Sequence, residues 1–145
     1  MKKIIFIGKT GSGKTTLCQK LHKLQLKYKK TQSVDLYNSA IDTPGEYIEN
    51  RRLYNALITT SADAKVISLV YDPTQEENYI PPGFASMFSK DVIGIITKTN
   101  KVNKGQIDTA YERLKLAGVS QIFKVDTVDE VGLEPLFDYL ENINS

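Results

Sequence analysis

Short apolar runs alternate with amphipathic stretches along most of the chain. The apolar runs have the length of buried strands, and they lie at residues 4–7, 34–41, 66–71, 92–96 and 122–125. Between them, apolar side chains recur every three or four residues, which predicts helices through Leu17, Leu21 and Leu24 and at residues 49–60, 106–117 and 133–143. Gly118 is expected to cap the C-terminus of the third of these helices. Strands alternating with helices indicate an α/β fold with a mostly parallel sheet between two helical layers, in which ligands bind at the carboxyl ends of the strands.

The segment 72–91 departs from this alternation. Three prolines and a glycine exclude one long helix there, so we expect at most a short helix near residues 84–88. A long irregular connection inside a compact domain is uncommon and is often functional. Its apolar side chains have two interpretations, a docking patch for a partner protein or a cap over the core where a helix is missing. The side chains in question are Phe84, Met87 and Phe88.

Composition limits the class of protein more than its function. The 145 residues suffice for one domain, expected to span residues 1–145, and 41% hydrophobic and 25% charged residues are ordinary for a water-soluble protein. A net charge of +2 is too small to indicate nucleic acid or an anionic membrane as a partner, and no apolar run approaches the roughly 18 residues of a membrane span. The lone cysteine, Cys18, excludes an intramolecular disulfide and is expected to fill the core, so we expect a cytoplasmic protein. The five lysines within residues 20–30 are expected to form the solvated face of the first helix and the loop after it, or a partner site.

Residues 8–15 carry the strongest chemical signal. Their sequence, Gly8-Lys9-Thr10-Gly11-Ser12-Gly13-Lys14-Thr15, matches the phosphate-binding P-loop pattern G-x-x-x-x-G-K-[ST] and lies between a predicted strand and a predicted helix. Glycines let such a loop curl so that its N–H groups point at phosphate, and the helix N-terminus adds partial positive charge. We expect these residues and Thr16 to bind a nucleotide, with Lys14 on the β- and γ-phosphates and the Thr15 hydroxyl on Mg²⁺.

Two further segments are expected to meet the terminal phosphate. Asp42-Thr43-Pro44-Gly45 forms a D-x-x-G motif at the end of the second predicted strand. There the Asp42 carboxylate would hold Mg²⁺ through water, and the Gly45 N–H would approach the γ-phosphate. Thr31, seventeen residues after Lys14, is expected to ligate Mg²⁺ with its hydroxyl and to contact the γ-phosphate with its N–H, becoming ordered only with triphosphate bound. The alternative for Thr31 is an ordinary surface threonine.

Hydrolysis is expected to be slow. Glu46 follows Gly45 at the position where many GTPases carry a glutamine that orients the attacking water. A carboxylate there can accept a proton from the water, but it also repels the γ-phosphate. Arg51 and Arg52 offer either an arginine finger in cis or ordinary surface ion pairs. The residues assigned to catalysis are Lys14, Thr31, Gly45 and Glu46.

The end of the fourth predicted strand is expected to bind the base. The guanine-binding motif [NT]-K-x-D has its counterpart here in Thr97-Lys98-Thr99-Asn100. Asn100, however, replaces the aspartate that accepts from guanine N1–H and N2–H₂. A second register of the motif, at residues 100–103, also ends in asparagine. An asparagine side chain offers one acceptor and one donor, so one guanine N–H loses its hydrogen-bond partner, at a cost of about 1–3 kcal/mol of binding free energy. XTP or ATP is therefore expected to compete better with GTP for this site. Asp126, followed by Thr127 before the last helix, either supplies the missing carboxylate or is a solvated loop aspartate or a helix cap.

Three stretches outside the P-loop resemble one family. They are Tyr28-Lys29-Lys30-Thr31-Gln32, Asp42-Thr43-Pro44-Gly45-Glu46-Tyr47 with Glu49-Asn50-Arg51-Arg52, and Pro81-Pro82-Gly83-Phe84-Ala85-Ser86-Met87-Phe88. With the P-loop, they make essentially the whole chain similar to the small P-loop GTPases of the EutP/PduV family, the ethanolamine- and propanediol-utilisation proteins of bacterial microcompartment operons. The resemblance implies a Ras-like P-loop NTPase sheet, Mg²⁺-dependent binding of GTP and GDP, and a role near a microcompartment. The short interval between Thr31 and Asp42 leaves room for about one strand, so we expect a sheet of five to six strands.

Three functions follow from these features. The first is a Mg²⁺-dependent GTP switch with slow hydrolysis, associated with ethanolamine or propanediol utilisation. The second is a phosphotransferase that delivers phosphate to a short carboxylic acid of the same pathway, and phosphate release without an acceptor would separate it from the first. The third is a non-hydrolysing module that docks on a microcompartment shell or a pathway protein through residues 72–91, and its docking would survive Lys14→Ala.

Overall fold

The computed structural model describes residues 3–9, 11–29, 40–42, 55, 57–59, 61–75 and 80–144. The strands are β1 (Lys3–Gly8), β2 (Ala40–Asp42), β3 (Ala64–Tyr71), β4 (Asp91–Ile96) and β5 (Ile122–Lys124). The helices are α1 (Lys14–Lys29), α2 (Lys104–Ala117) and α3 (Leu133–Asn144), with short 3-10 helices at Ser61–Asp63, Phe84–Met87 and Thr99–Lys101. Residues 55 and 57–59 are also helical, inside the predicted helix 49–60. Within these ranges, no helix combines the length and the apolar character needed to cross a membrane.

The described strands form one parallel sheet in the order β2-β1-β3-β4-β5. β1 is central to the site, because Gly8 at its end pairs with Asp42 of β2 on one side and with Val70 of β3 on the other. All the strands run in the same direction, so their carboxyl ends meet at one edge, where ligands bind in open parallel sheets. The predicted α/β class and parallel sheet are confirmed.

An apolar layer covers each face of the sheet. Successive residues of a strand point to opposite faces, so Ile4 and Phe6 of β1 belong to one layer while Ile5 and Ile7 belong to the other. The first layer contains the buried faces of α1 and α3, through Leu17, Leu21, Leu136 and Leu140. The second layer contains the buried face of α2, through Ala110, Leu114 and Ala117. The arrangement is the predicted three-layer α/β/α sandwich.

Close packing of α2 against β4 makes Leu114 a sensitive core position. A Cβ atom at Gly94 would lie 2.9 Å from Leu114 Cδ1, and Leu114 itself is 0% exposed. Replacing Leu114 with alanine is expected to lower the free energy of unfolding by about 2–5 kcal/mol, because the cavity left behind collapses only partly. Chemical denaturation measures this change. Leu116→Ala on the exposed side of the same helix is the control, expected within about 0.5 kcal/mol of the parent, and equal losses in both variants would contradict the packing described.

Capping interactions define both ends of α2. The Asn103 side chain accepts from the Gln106 N–H at 2.9 Å, and the Gln106 side chain accepts from the Asn103 N–H at 3.1 Å, which is a capping box. The helix therefore begins at Lys104, two residues before the start predicted from the apolar spacing. At the other end Gly118 has φ 95°, and its N–H reaches the carbonyl groups of the last turn, which confirms the predicted C-terminal cap.

The segment after β3 covers the core instead of presenting an apolar face to solvent. Phe84 and Phe88 are 5% and 8% exposed and belong to the α2-side core, with their ring centroids 5.6 Å apart in an edge-to-face arrangement. Met87 is partly buried and packs against the same cluster. The docking-patch interpretation is therefore wrong for both phenylalanines, because their rings are buried in the core that covers this face of the sheet. The short helix predicted near residues 84–88 is observed at Phe84–Met87.

The polar and apolar faces of α1 follow the prediction. Cys18 is 5% exposed, and burial raises the pKa of its thiol to about 12 against a smaller lowering by Lys14, so it fills the core and forms no thiolate at neutral pH. Lys23 and Lys27 are exposed, and Lys20 Nζ lies 2.9 Å from Glu130 Oε1 on the surface. These lysines are therefore exposed or partly exposed, as both the solvated-face and the partner-site interpretations require.

Candidate functional site

The P-loop joins the end of β1 to the start of α1. Gly11 and Gly13 have φ of 85° and 100°, a backbone region that side chains disfavour. The Ser12 N–H donates to the Lys9 carbonyl at 3.0 Å, which closes the turn. A Cβ atom at Gly8 would lie 2.6 Å from the Val70 carbonyl oxygen and 2.9 Å from Ser12 Oγ, so only glycine fits between the loop and β3. The glycines of the motif are thus required by the backbone path and by packing.

Lys14 points back into the loop. Its side chain is almost fully buried, and Nζ donates to the Gly8 carbonyl at 2.8 Å and to the Lys9 carbonyl at 3.1 Å. These contacts hold the ammonium group at the mouth of the loop, the position from which the lysine of a P-loop reaches phosphate oxygens. The structure therefore brings Lys14, Gly8, Lys9, Gly11, Ser12 and Gly13 together as the sequence predicted.

Some oxygen donors predicted for Mg²⁺ lie at the same edge. Thr15 and Thr16 are exposed in the first turn of α1, and β2 places the Asp42 backbone directly beside Gly8. A hydroxyl and a carboxylate next to a phosphate site are the ligands that Mg²⁺ prefers, so these positions fit the ion. In the described ranges, no cluster of three or more histidine, cysteine, aspartate or glutamate side chains forms an alternative metal site. Thr10, Thr31, Gly45, Glu46, Arg51, Arg52 and the Asp42 side chain lie outside what the structure describes.

The loop after β4 is bound to the P-loop by two side chains. Thr97 is buried, and its Oγ1 donates to the Ser12 carbonyl at 2.7 Å, with the Tyr71 carbonyl at 3.2 Å. Lys98 has φ 55°, and its Nζ donates to the Gly11 carbonyl at 2.7 Å. The predicted base-binding loop and the predicted phosphate-binding loop therefore form one unit, although they are separated by more than 80 residues in sequence.

Asp72 completes this unit, although the sequence analysis did not assign it a role. It is 2% exposed, directly follows β3, and accepts from Lys98 Nζ at 2.7 Å through Oδ2 and from the Thr74 N–H at 2.9 Å through Oδ1. Burial raises the pKa of Asp72, but the hydrogen bonds from Lys98 and Thr74 outweigh it, so the pKa lies below its usual value. The available signal was an aspartate at the end of an apolar strand, the same position that Asp42 occupies on β2. Asp72 therefore positions Lys98.

Removing the Asp72 charge is expected to destabilise the fold in a pH-dependent way. The folded pKa lies below the unfolded one, so the carboxylate stabilises the fold above the unfolded pKa of about 4 and loses this effect as pH falls through the folded pKa. Replacing Asp72 with asparagine should cost about 1.5–3 kcal/mol at pH 7, and the gap between parent and variant should shrink below about pH 4. Denaturant titrations across pH measure it, with the exposed Asp108→Asn as control. A gap that stays constant with pH would rule out a charge effect.

The other predicted base contacts occupy two adjacent loops. Asn100 is exposed in the 3-10 helix Thr99–Lys101, and Thr99 Oγ1 donates to the Val125 carbonyl at 3.2 Å, which links this loop to the loop of Asp126 and Thr127. Asp126 is 3% exposed, and its Oδ1 accepts from the Val128 N–H at 2.9 Å and the Asp129 N–H at 3.3 Å. The solvated-aspartate interpretation is therefore wrong, because this side chain is buried and holds a turn. The predicted contact with a base would therefore have to use Oδ2.

The family follows from comparison with known proteins. The model of the PduV-EutP family, described as ethanolamine utilisation and propanediol utilisation, matches residues 1–142. The chain belongs to the PduV-EutP family. It is 35% identical over 140 residues to the propanediol utilization protein PduV of Citrobacter freundii, covering 97% of this chain and 93% of that protein. It is 34% identical over 145 residues to EutP of Escherichia coli K12, named a probable acetate kinase, covering 99% of this chain and 91% of that protein.

Solved structures support the fold assigned to this PduV-EutP member. A bacterial selenocysteine-specific elongation factor EF-Sec aligns with a TM-score of 0.59 and 24% identity over 99% of this chain. Elongation factor SelB of Methanococcus maripaludis, in complex with the GTP analogue GppNHp, aligns with a TM-score of 0.62 and 18% identity over 99% of this chain. The chain spans only 29% and 34% of these two structures. At these identities the likeness establishes a P-loop GTPase-like fold and carries no activity.

Proposed function

We propose that this PduV-EutP protein is a Mg²⁺-dependent GTP switch with slow hydrolysis that works in ethanolamine or propanediol utilisation. The observation that carries the proposal is the direct bond between its two candidate nucleotide loops, where Lys98 Nζ lies 2.7 Å from the Gly11 carbonyl. A nucleotide spans the distance from a phosphate site to a base site, and this contact sets the spacing between the two. We assign residues 1–145 to one nucleotide-binding domain.

The phosphate end of the nucleotide is assigned to the P-loop. Glycine N–H groups and the N-terminus of α1 supply partial positive charge, and Lys14 supplies a full one on the β- and γ-phosphates. Mg²⁺, when bound, neutralises charge on the phosphate oxygens, and its protein ligands are Thr15, Thr31 and Asp42. Two positions support this assignment: Thr15 lies in the first turn of α1, and the Asp42 backbone pairs with Gly8 at the carboxyl edge of the sheet.

Hydrolysis is assigned to residues around the γ-phosphate. Gly45 contacts this phosphate through its N–H, and Glu46 orients or deprotonates the attacking water. The carboxylate of Glu46 repels the phosphate that the water must attack, so turnover is slow without an activating partner. This combination favours a switch, whose bound state persists, over a fast hydrolase.

The base end of the nucleotide is assigned to the loop after β4. Lys98 runs between Gly11 and Asp72, which orients its stem for packing along a purine. Asn100 is exposed at the entrance to this site and replaces a carboxylate by an amide, so guanine retains one unpaired N–H unless Asp126 Oδ2 reaches it. Xanthine, with a carbonyl at C2, suits an asparagine better than guanine does.

A second candidate is an acyl-phosphate-forming kinase. The observation in its favour is that EutP of Escherichia coli, which covers nearly the whole chain, is named a probable acetate kinase. Such an enzyme moves the γ-phosphoryl group to a carboxylate oxygen and releases the nucleoside diphosphate. A switch releases phosphate whether or not an acid is present, whereas a kinase forms acyl phosphate only with one.

A nucleotide titration tests the proposal first. Nucleotide-free protein is titrated with GTP, GDP, XTP and ATP, each with and without Mg²⁺, and the parent is compared with Lys14→Ala and with Lys20→Ala, a matched control on the surface of α1. Tight, Mg²⁺-dependent GTP binding that only Lys14→Ala removes supports the switch. Preference for XTP or ATP would overturn the guanine assignment, and the absence of binding by any of them would overturn the nucleotide site. Acetate added to the GTP and ATP reactions tests for acyl phosphate.

A further inference from the structure

A cleft of about 450 Å³ lies between the end of β3 and the N-terminal half of α2. The residues that line it include Tyr71, Pro73, Asn103, Gln106, Ala110 and Arg113. It is on the sheet face covered by α2, and none of the P-loop residues lines it. Its volume falls in the range of small-molecule sites, roughly 300–1,000 Å³.

Arg113 supplies the positive charge of this cleft. Its Nη1 donates to Tyr71 Oη at 2.7 Å, and Tyr71 is 1% exposed, so a buried phenol orients the guanidinium from behind. A guanidinium has five N–H donors, and this bond uses one. Within the described ranges, no carboxylate forms an ion pair with Arg113. An oriented, half-buried cation without an acidic partner is suited to an anionic ligand.

The neighbouring amides of Asn103 and Gln106 add hydrogen-bond donors to the cleft. Asn103 Oδ1 accepts from the Gln106 N–H, and Gln106 Oε1 accepts from the Asn103 N–H, so the capping box of α2 occupies both carbonyl oxygens. The two amide NH₂ groups remain to face a ligand. These NH₂ groups and the Arg113 guanidinium place hydrogen-bond donors around one positive charge, a pattern that suits an oxyanion. Gln75 and Thr109, which also line the cleft, have side chains that can donate or accept.

Two apolar residues also line the cleft. Pro73 is buried at the turn after β3, and Ala110 is 1% exposed on the inner face of α2. Arg113 is the charged residue among those that line the cleft, and one planar guanidinium matches one planar carboxylate in a bidentate pair. A phosphate dianion would retain uncompensated charge.

We propose that this cleft binds a small organic carboxylate, with the carboxylate on Arg113 and the alkyl part against Pro73 and Ala110. The site shares no residue with the P-loop or with Thr97, Lys98, Asn100 and Asp126, so it can be tested separately from the proposed nucleotide switch. Through this site the protein binds a carboxylic acid, either as a regulatory ligand or as a substrate.

A titration of the full-length chain with acetate, butyrate and hexanoate tests the site. Backbone amide shifts of Gly105 and Gln106, followed by heteronuclear NMR, should move and saturate, with affinity rising about two- to fourfold per methylene as the alkyl chain covers the apolar residues. Lys14→Ala should leave these shifts unchanged while removing nucleotide binding, so failure of one site is distinguishable from failure of the other. Shifts that do not saturate, or tighter binding of inorganic phosphate than of any carboxylate, would overturn the proposal.

Variants at Arg113 sharpen the test. Arg113→Gln should weaken hexanoate binding at least about tenfold, and Arg113→Lys should recover only part of the loss because a point charge lacks the planar fork. Lys115→Gln removes the same charge from the exposed side of the same helix and should leave the affinity within about twofold. An equal loss in Lys115→Gln would show that net charge alone attracts the ligand. Thermal melting and nucleotide binding of each variant check that the fold is retained.

Discussion

Replacing Lys14 with alanine is expected to abolish triphosphate binding, with a loss of about 10²- to 10⁴-fold in affinity. The ammonium group now bonded to the Gly8 and Lys9 carbonyls would contact two phosphate groups in the complex. Hydrogen bonds that involve charged groups contribute about 1.5–3 kcal/mol each, so losing two of them accounts for the range. Nucleotide diphosphate should lose less, because one of the two phosphate contacts is absent from it.

Isothermal titration with GTP and GDP measures this effect. Lys14→Arg keeps the charge but alters its geometry, so it should fall between the parent and Lys14→Ala, whereas Lys20→Ala should match the parent. The thermal shift caused by saturating GTP is an independent readout, because a ligand that binds only the folded state raises the melting temperature. Nanomolar affinity in Lys14→Ala would exclude residues 8–15 as the phosphate site.

Replacing Asn100 with aspartate is expected to raise the preference for GTP over XTP by about 5- to 150-fold. The new carboxylate accepts from both guanine N–H groups, whereas the asparagine leaves one without a partner at a cost of about 1–3 kcal/mol. Against xanthine the same carboxylate faces a carbonyl oxygen and is repelled. Both effects move the ratio in the same direction.

Competition of GTP, XTP and ATP against one labelled nucleotide measures the ratios. Asn103→Asp is the matched control: it adds the same charge three residues away and preserves the N-cap of α2, because aspartate caps a helix as well as asparagine does. It also tests the second register of the base motif. Unchanged ratios in Asn100→Asp would mean that Asn100 does not face the base, and a switch produced only by Asn103→Asp would move the base site to residues 100–103.

Local signals were enough to predict the sheet and the P-loop. Apolar runs identified β1, β3, β4 and β5 because buried parallel strands are apolar on both faces, and the P-loop has a fixed spacing that depends on backbone geometry. The start of α2 was missed by two residues because Asn103 caps the helix before its apolar stripe begins. Periodicity locates the face of a helix better than its ends.

Features that depend on tertiary contacts were not predicted. Asp72 owes its role to Lys98, which lies 26 residues further along the chain, and a proline directly after it suggested an irregular segment. Arg113 reads as a polar position of an amphipathic helix, and only the fold places it against Tyr71, 42 residues earlier. The exposed or buried state of Phe84 and Phe88 depended in the same way on whether another element covered the sheet.

The bonds from Thr97 and Lys98 to the P-loop also constrain the order in which the site can form during synthesis. Residues 8–15 leave the ribosome before Thr97 and Lys98, whose side chains hold Ser12 and Gly11 and which lie more than 80 residues later in the chain. β1 likewise gains its β3 partner only after residues 64–71 have emerged. A nascent chain that ends before β4 contains the complete phosphate-binding motif without the contacts that hold it in place. If the proposed nucleotide site is correct, a nascent chain stalled before Thr97 and Lys98 have emerged should therefore be unable to retain GTP.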